Sequence, residues 1–321
     1  MTRAHLRALL WRARHVALAT VVLGCAHPRA RTTLLTGAGL WDAHTHLSWS
    51  GAAALDSLVS HGVVAVRDCG GDALQLRAWR DSILAGQRRG PRIYFSGPVL
   101  DGPKQNMRHR ALVTTPERAA WVVDSLAELG VAFIKTHNAI PPAAFFAVIR
   151  EARRHHLKVA AHLPRGVPAW TAADSGVGSL EHAAESMLVS PLYANYATGI
   201  DGAIAWWRSP AGDSMLQHIA LTGVAVTPTL VAYRTFALRA STEEDRLGRQ
   251  RVLDFLIELT GRMHRAGIVL LAGSDFATPD SLLVPGASIH MEVGLLERSG
   301  LSHEEAVAAS STAVAAWLGI R

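Results

Sequence analysis

The stretch Val131–His162 reads VAFIKTHNAIPPAAFFAVIREARRHHLKVAAH, and it contains the repeating unit of the chain. It contains an apolar run at Val131–Thr136, a segment with helical periodicity at Ala143–His156, and a second apolar run at Leu157–His162. Short apolar runs bounded by polar turns are typical of strands, and a helix between two strands favours parallel pairing. The stretch therefore predicts a β-α-β unit of a parallel α/β domain.

The same pattern recurs from Gly39 onward. Eight apolar or β-branched runs occur, which is the number of strands that a (β/α)8 barrel requires. The eight runs are Leu40–Leu47, Val63–Asp68, Arg92–Gly97, Val131–Thr136, Leu157–His162, Gly178–His182, Val224–Thr229 and Ile268–Ser274. Further helical periodicity is found in Pro116–Leu129, Glu243–Ala266 and Ala287–Ser299. We therefore expect an α/β fold of the TIM-type (β/α)8 barrel over residues 39–321, with a doubly wound open sheet as the alternative.

Composition narrows the class of protein. Of 321 residues 49% are hydrophobic and 18% are charged, which excludes a disordered chain, and 2 Cys cannot form a disulfide framework. The net charge of +6 arises mostly within residues 1–24, which hold Arg3, Arg7, Arg12 and Arg14 and no acidic residue. The rest of the chain has 28 basic and 26 acidic residues, so we expect no nucleic-acid partner.

The N-terminal residues have the character of a targeting segment. Residues 1–15 are rich in Arg, and the apolar run Val16–Gly24 is shorter than the ~20 residues of a spanning helix but typical of a signal peptide. The run ends at Cys25 in a segment that resembles the bacterial lipobox. We therefore predict a signal peptide at 1–24, lipidation of Cys25 and a tether at 25–38. The protein would be an exported lipoprotein, periplasmic or at the cell surface, that contacts the membrane through its lipid anchor alone. A plain secretory signal and a cytosolic protein with an irrelevant extension are the alternatives.

Metal-binding residue types occur at the predicted strand ends, where the active sites of parallel barrels lie. The first run ends in Asp42-Ala43-His44-Thr45-His46, and residues i and i+2 of a strand point the same way, so His44 and His46 can share one metal. Lys135 lies in an apolar run, where a buried amine must lose its charge or find a partner. The remaining strand ends contribute His162, His182 and Asp275. Imidazole and carboxylate ligands suit Zn²⁺ and its neighbours among the divalent metals.

Two further residues are candidates for substrate contact. His137 follows Lys135 by two positions and can share its orientation, and Tyr233 follows the seventh run, where its hydroxyl can donate to a carbonyl or carboxylate. Ordinary packing or exposure is the alternative for both. The long segment 183–222 is either a lid over the site or a set of extra helices whose aromatic residues pack on the barrel. We expect structural roles for Cys69, His290 and Glu292.

The order His-x-His, Lys, His, His, Asp resembles the binuclear metal-dependent amidohydrolase superfamily. The surrounding segments are similar to those of its imidazolonepropionase-like and Xaa-Pro dipeptidase-like branch. These segments are WDAHTHL (Trp41–Leu47), GVVAVRDCGG (Gly62–Gly71), SLEHA (Ser179–Ala183), LAGSD (Leu271–Asp275) and PGASIHMEVGLL (Pro285–Leu296). The resemblance covers residues 36–320.

The resemblance implies two divalent metal ions, expected to be Zn²⁺, and a carbamate that CO₂ forms on Lys135 to bridge them. His44, His46 and Asp275 would hold one metal, and His162 and His182 the other. A hydroxide bridging the two metals would attack a C–N amide or peptide bond, while Asp275 moves the proton to the leaving nitrogen. Xaa-Pro dipeptides or N-acyl amino acids are the expected substrates. The alternatives are a lactonase or another ester hydrolase on the same site, and a lipoprotein that binds a solute or metal without catalysis.

Relatives of this type generally carry a small β-sandwich that both chain ends build outside the barrel. Few residues separate Cys25 from Gly39, and no strands follow Leu318-Gly319. We therefore expect either that the sandwich is absent or that the chain is truncated. The barrel surface that a sandwich would cover makes a homo-oligomer or membrane apposition plausible.

Overall fold

The structure is a computed structural model that describes residues 39–103, 108–277 and 282–320. The predicted signal peptide, the tether and Cys25 lie outside these ranges and stay predictions. Within the described ranges every pairing between named strands is parallel. The prediction of a parallel α/β fold is therefore confirmed.

The strands are short, and several contain three residues or fewer. They are β1 (Leu40–Thr45), β2 (Val63–Asp68), β3 (Arg92–Phe95), β4 (Val99–Asp101), β5 (Arg110–Leu112), β6 (Ile134–Thr136), β7 (Val159–Ala161), β8 (Ser179–Glu181), β9 (Ala225–Thr227) and β10 (Val269–Leu270). Eight of them fall within the predicted runs. The sequence analysis missed β4 and β5, because three residues are too few to show a periodic pattern.

Helices connect the strands and pack on the faces of the sheets. They are α1 (Leu47–Ser50), α2 (Ala53–Ser60), α3 (Ala73–Leu84), α4 (Pro116–Glu128), α5 (Pro142–Arg154), α6 (Ala169–Asp174), a π-helical turn (Ala184–Leu188), α7 (Ser190–Tyr193), α8 (Gly199–Trp207), α9 (Pro210–Leu221), α10 (Leu230–Leu238), α11 (Glu243–Arg265), α12 (Ala287–Arg298), α13 (His303–Ala309) and α14 (Thr312–Trp317). In the described ranges no helix combines the length and apolar character needed to span a bilayer.

Local sequence explains where the predicted helices begin. Thr115 caps α4 by accepting a hydrogen bond from the backbone N–H of Arg118, and Pro116 occupies the first helical position, where no N–H is required. Thr242 caps α11 in the same way through the N–H of Asp245. Because these signals are local, the predicted bounds of both helices agree with the structure to within one residue.

The strands form two sheets. One has the order β1-β2-β3, and the other has the order β10-β9-β8-β7-β6-β4-β5. Backbone hydrogen bonds connect both edge strands of the three-stranded sheet to the larger sheet or to residues next to it. On the β3 side, the N–H of Ala132, just before β6, donates to the carbonyl of Phe95 at 2.9 Å. On the β1 side, the N–H of Ala43 donates to the carbonyl of Ala272, just after β10, at 2.8 Å. Only two residues of the last predicted run form a strand, because Ala272 donates its own N–H to Ala309, which is not in a strand.

The segment 183–222 is helical, as the second alternative of the sequence analysis proposed. Trp207 is fully buried, and its Nε1 donates a hydrogen bond to the carbonyl of Met187 at 2.9 Å. The ring of Trp206 lies 5.6 Å from both Trp170 and Tyr196, measured between ring centroids. These aromatic residues therefore anchor the added helices to the body of the domain.

Candidate metal centre

The two histidines that end β1 face the same carboxylate. His44 Nε2 lies 3.5 Å from Asp275 Oδ1, and His46 Nε2 lies 3.3 Å from the same oxygen. The rings are 5.3 Å apart between centroids. The structure thus brings together the three residues that the resemblance implies for one metal.

The other candidate ligands come from three adjacent parallel strands. Lys135 is the central residue of β6, His162 follows β7 and His182 follows β8. The ring centroid of His182 lies 4.9 Å from that of His162 and 4.6 Å from that of His44. All six predicted ligands line one cavity of about 250 Å³; they are His44, His46, Lys135, His162, His182 and Asp275.

Hydrogen bonds orient the imidazole nitrogens. His44 Nδ1 lies 2.7 Å from the carboxylate of Glu181, and His46 Nδ1 lies 3.3 Å from the carbonyl oxygen of Gly70. Both partners only accept hydrogen bonds, so the proton of each neutral ring is on Nδ1, and Nε2 presents a lone pair. The Nε2 lone pairs of His44 and His46 therefore face Oδ1 of Asp275, at 3.5 and 3.3 Å.

Such a convergence of electron-pair donors suits a cation. The ligand atoms of His44, His182 and Asp275 all lie within 4.8 Å of one another. His44 Nε2 and Lys135 Nζ are buried without a hydrogen-bond partner in the described part of the chain. Burial lowers the pKa of both His44 and His182 well below 6.5, which keeps these rings in the neutral form that binds metals. The residues therefore fit divalent metal ions.

Strained backbone occurs at the same strand ends. His182, Thr229 and Asp275 have φ angles of 61°, 50° and 56°, a left-handed conformation that costs non-glycine residues about 1–3 kcal/mol. The N–H of Asp275 donates to the carbonyl of His44 at 2.8 Å, which holds the strained carboxylate against β1. Asp42 accepts a hydrogen bond from the N–H of Ser274 at 2.9 Å and supports the same turn. Strain that the surroundings enforce in this way is typical of functional sites.

The sequence analysis overlooked a buried ion pair behind the histidines. Arg67 and Glu181 are both fully buried, and Nη2 of the guanidinium lies 2.8 Å from each carboxylate oxygen. Arg67 interrupts the apolar run Val63–Asp68 just as Lys135 interrupts its own run. A charge inside an apolar strand was therefore the signal that pointed to it.

The two candidates for substrate contact occupy different cavities. His137 lines the same cavity as the metal-binding residues, and its Nδ1 lies 3.4 Å from Asp101 Oδ2. Tyr233 lines a neighbouring cavity of about 230 Å³, together with Phe236. The two cavities share His182, Glu185 and Asp275. The sequence analysis did not select Glu185, which lies four residues beyond the end of β8.

The residues expected to be structural also have defined environments. Burial raises the pKa of the Cys69 thiol, which favours the protonated form that does not bind metals. Glu292 accepts hydrogen bonds from the backbone N–H groups of Leu230 and Val231 at 3.0 and 2.7 Å. His290 Nε2 lies 2.8 Å from the carbonyl oxygen of His61. Glu292 therefore caps the start of α10, just beyond the strained residue Thr229.

No model of a known protein family matches the sequence, and no curated protein matches it at a significant level. Solved structures of amidohydrolases do match the fold. Bottromycin amidohydrolase has a TM-score of 0.69 at 24% identity, over 88% of this chain and 67% of that chain. A putative prolidase from Bifidobacterium longum has a TM-score of 0.65 at 26% identity, over 88% of this chain and 69% of that chain. A Xaa-Pro dipeptidase with methionine in its active site has a TM-score of 0.66 at 17% identity, over 88% of this chain and 75% of that chain.

The fold is therefore that of the amidohydrolase superfamily. More particularly, it is similar to the Xaa-Pro dipeptidase-like branch that the sequence motifs indicated. These structural neighbours are hydrolases that act on amide or peptide bonds.

Proposed function

We propose that this protein is a metal-dependent hydrolase that cleaves a C–N amide or peptide bond. The observation that carries the proposal is the convergence of four imidazoles, a carboxylate and a buried lysine on one cavity. The amide- and peptide-cleaving neighbours of the same fold support the choice of bond.

The proposal includes a closed (β/α)8 barrel. The hydrogen bonds from Ala132 to Phe95 and from Ala43 to Ala272 support it, because they connect both edge strands of the three-stranded sheet, β3 and β1, to residues next to the larger sheet. A parallel β-bridge between Thr45 and Phe276 adds a contact between the end of β1 and the segment that follows β10. Closure would place the ends of β1, β6, β7 and β8 around one mouth, as the chemistry requires.

His44, His46 and Asp275 would hold one metal, and His162 and His182 the other, with a carbamate on Lys135 as the bridging ligand. Burial lowers the pKa of Lys135, which favours the neutral amine that reacts with CO₂. Two bound divalent ions, Zn²⁺ by the chemistry of the donor set, would polarise a scissile carbonyl and lower the pKa of a water molecule toward neutrality.

The residues of the chain would orient the substrate and move the proton. Asp275 lies at the junction of the two cavities, where its carboxylate can accept a proton and return it to a leaving nitrogen. His137 can donate a hydrogen bond to a substrate carboxylate from one cavity, and Tyr233 can donate its phenolic hydrogen from the other. This arrangement suits Xaa-Pro dipeptides or N-acyl amino acids.

Metal analysis combined with hydrolysis assays tests this function. We expect protein reconstituted with Zn²⁺ and bicarbonate to bind about two metals per chain and to cleave dipeptides or N-acyl amino acids. His44→Asn should lose metal and activity together. His303→Asn is a matched control, because its side chain is 78% exposed on α13. Absence of both bound metal and hydrolysis in the reconstituted wild type would refute the proposal.

Export and lipidation at Cys25 form a separate proposal that rests on residues 1–25 alone. Labelling of cells with a radioactive fatty acid tests it. We expect label on the full-length chain and none on Cys25→Ser; equal labelling of the two would contradict it.

A further inference from the structure

We propose that Glu181 and Arg67 are positioning residues that fix the tautomer of His44 and thereby set the affinity of the site for divalent metals. The inference rests on the proposed function, since it takes His44 as a metal ligand. Neither residue reaches the cavity that the candidate ligands line.

The carboxylate of Glu181 determines which nitrogen of His44 carries the proton. Glu181 Oε2 lies 2.7 Å from His44 Nδ1 and 2.8 Å from the guanidinium of Arg67. A carboxylate can only accept hydrogen bonds, so His44 Nδ1 must carry the proton. A protonated carboxyl group, or an amide that turns its NH₂ toward the ring, would permit the opposite tautomer, with the proton on the nitrogen that faces Asp275.

Arg67 holds the carboxylate of Glu181 in place. Its Nη2 donates to both carboxylate oxygens at 2.8 Å, so the guanidinium lies directly beside the group that accepts from His44. A guanidinium has donors and no acceptor, so Arg67 can only donate to this carboxylate. The tautomer of His44 therefore depends on the Arg67–Glu181 ion pair, which lies behind the ring and outside the cavity.

The guanidinium is held rigidly. Its Nε donates to the carbonyl of Ala43 at 2.5 Å, its Nη1 donates to Ser179 Oγ at 3.0 Å, and its Nη2 donates to Thr227 Oγ1 at 3.0 Å. Its Cζ also lies 4.4 Å from the ring centroid of Trp317. These contacts join β1, β2, β8 and β9, so the orientation of His44 is coupled to the register of four strands.

The other oriented histidines have neutral partners. His46 Nδ1 lies against the carbonyl of Gly70, and His182 Nδ1 lies 3.0 Å from Thr229 Oγ1. A carboxylate makes the opposite nitrogen of a ring more basic than a neutral partner does. His44 should therefore be the ligand whose affinity for metal responds most strongly to the residue behind it.

Metal titration of Glu181→Gln tests the inference on metal-free protein. We expect the dissociation constant for Zn²⁺ to rise by about 10- to 100-fold, as is usual when an outer partner of a ligating histidine is lost. Glu258→Gln is the matched control, because it removes an Arg–Glu ion pair on the surface with Arg208. That variant should bind Zn²⁺ within about two-fold of the wild type.

The ¹⁵N chemical shifts of the histidine rings give a readout independent of metal. The wild type should show His44 with its proton on Nδ1, and Glu181→Gln should show a mixture of tautomers.

A second variant, Ser179→Ala, tests the inference if Glu181→Gln does not fold. It keeps the carboxylate of Glu181 and removes one hydrogen bond to it. We expect the affinity for Zn²⁺ to fall by roughly two- to five-fold.

Two outcomes separate this inference from the proposed function. Wild-type protein that binds Zn²⁺, with a folded Glu181→Gln or Ser179→Ala variant that binds it equally well, would overturn the inference and leave the hydrolase intact. Wild-type protein that binds no metal would overturn the hydrolase, and the inference with it.

Discussion

Replacement of Lys135 by Met is expected to stabilise the metal-free protein while it abolishes hydrolysis. Lys135 is 1% exposed, and its Nζ has no hydrogen-bond partner among the described residues. Burial lowers the pKa of this amine, because the ammonium form loses its hydration. A thioether of similar length fills the same space without a polar group that needs a partner.

The size of the effect follows from this burial. An unsatisfied buried polar group costs about 1–3 kcal/mol, and the nearby carboxylates of Glu181 and Asp275 offset part of that cost. We therefore expect the free energy of unfolding to rise by about 1 kcal/mol, and the melting temperature by about 2 °C. The folded-state pKa of Lys135 lies below 10.5, so between these two pKa values the unfolded chain binds the proton more readily than the folded chain. The gain should accordingly shrink as the pH rises toward 10.5.

Urea unfolding of chelator-treated protein measures the stability, and hydrolysis after reconstitution with Zn²⁺ and bicarbonate measures the activity. Lys158→Met is a matched control, since Lys158 Nζ donates to the carbonyl of Trp317 at 2.6 Å. The control should lose stability and keep its activity. A loss of 1 kcal/mol or more in Lys135→Met would refute the reasoning, because it would show that the amine forms a stabilising ion pair. Full activity of Lys135→Met would show that Lys135 has no part in hydrolysis.

Three further predictions concern pH, a helix cap and substrate choice. Burial lowers the pKa of His44 and His182, so below pH 6.5 the unfolded chain takes up two protons that the folded chain does not. The metal-free protein should therefore lose up to about 2.7 kcal/mol of unfolding free energy per pH unit below 6.5. A flat profile in urea unfolding between pH 5 and 6.5 would contradict this. Glu292→Ala should lower the free energy of unfolding by about 2–3 kcal/mol, since two backbone N–H groups of α10 lose their acceptors; an unchanged melting temperature would count against the cap. Burial raises the pKa of Glu185 to about 7, so its carboxylate, which lies where the two cavities meet, is fully ionised only above that pH. Above about pH 8, Glu185→Gln should raise KM by roughly 5- to 30-fold for dipeptides with a free amine and leave KM for N-acyl amino acids unchanged. Equal shifts for both substrate types would exclude that role.

Much of the fold was predictable because its signals are local. The alternation of apolar runs and periodic helices requires only the spacing of residues along the chain, and the Thr caps of α4 and α11 lie within three residues of their partners. The six candidate ligands were predictable for a related reason. The ends of parallel strands meet on one side of a sheet, so a strand-end position already implies a shared location.

The details of the site were not predictable in this way. Asp101 approaches His137 only because β4 pairs with β6, and β4 is too short to show a pattern in the sequence. Tyr233 was a candidate for substrate contact, and only the position of α10 shows that it lines the neighbouring cavity, which shares His182 and Asp275 with the first. The left-handed backbone of Asp275 depends on hydrogen bonds to β1, more than 200 residues earlier in the chain.

From the sequence it was possible to predict eight of the ten described strands, the four helices with clear periodicity and the residue types at the strand ends, because hydrophobic spacing and residue chemistry are properties of neighbours along the chain. The tertiary structure alone decided that Arg67 and Glu181, 114 residues apart, form a buried pair behind His44. Which residue lies behind a ligand depends on the register between strands and on the space that remains in the core. Both are consequences of packing over long separations, which no local pattern encodes.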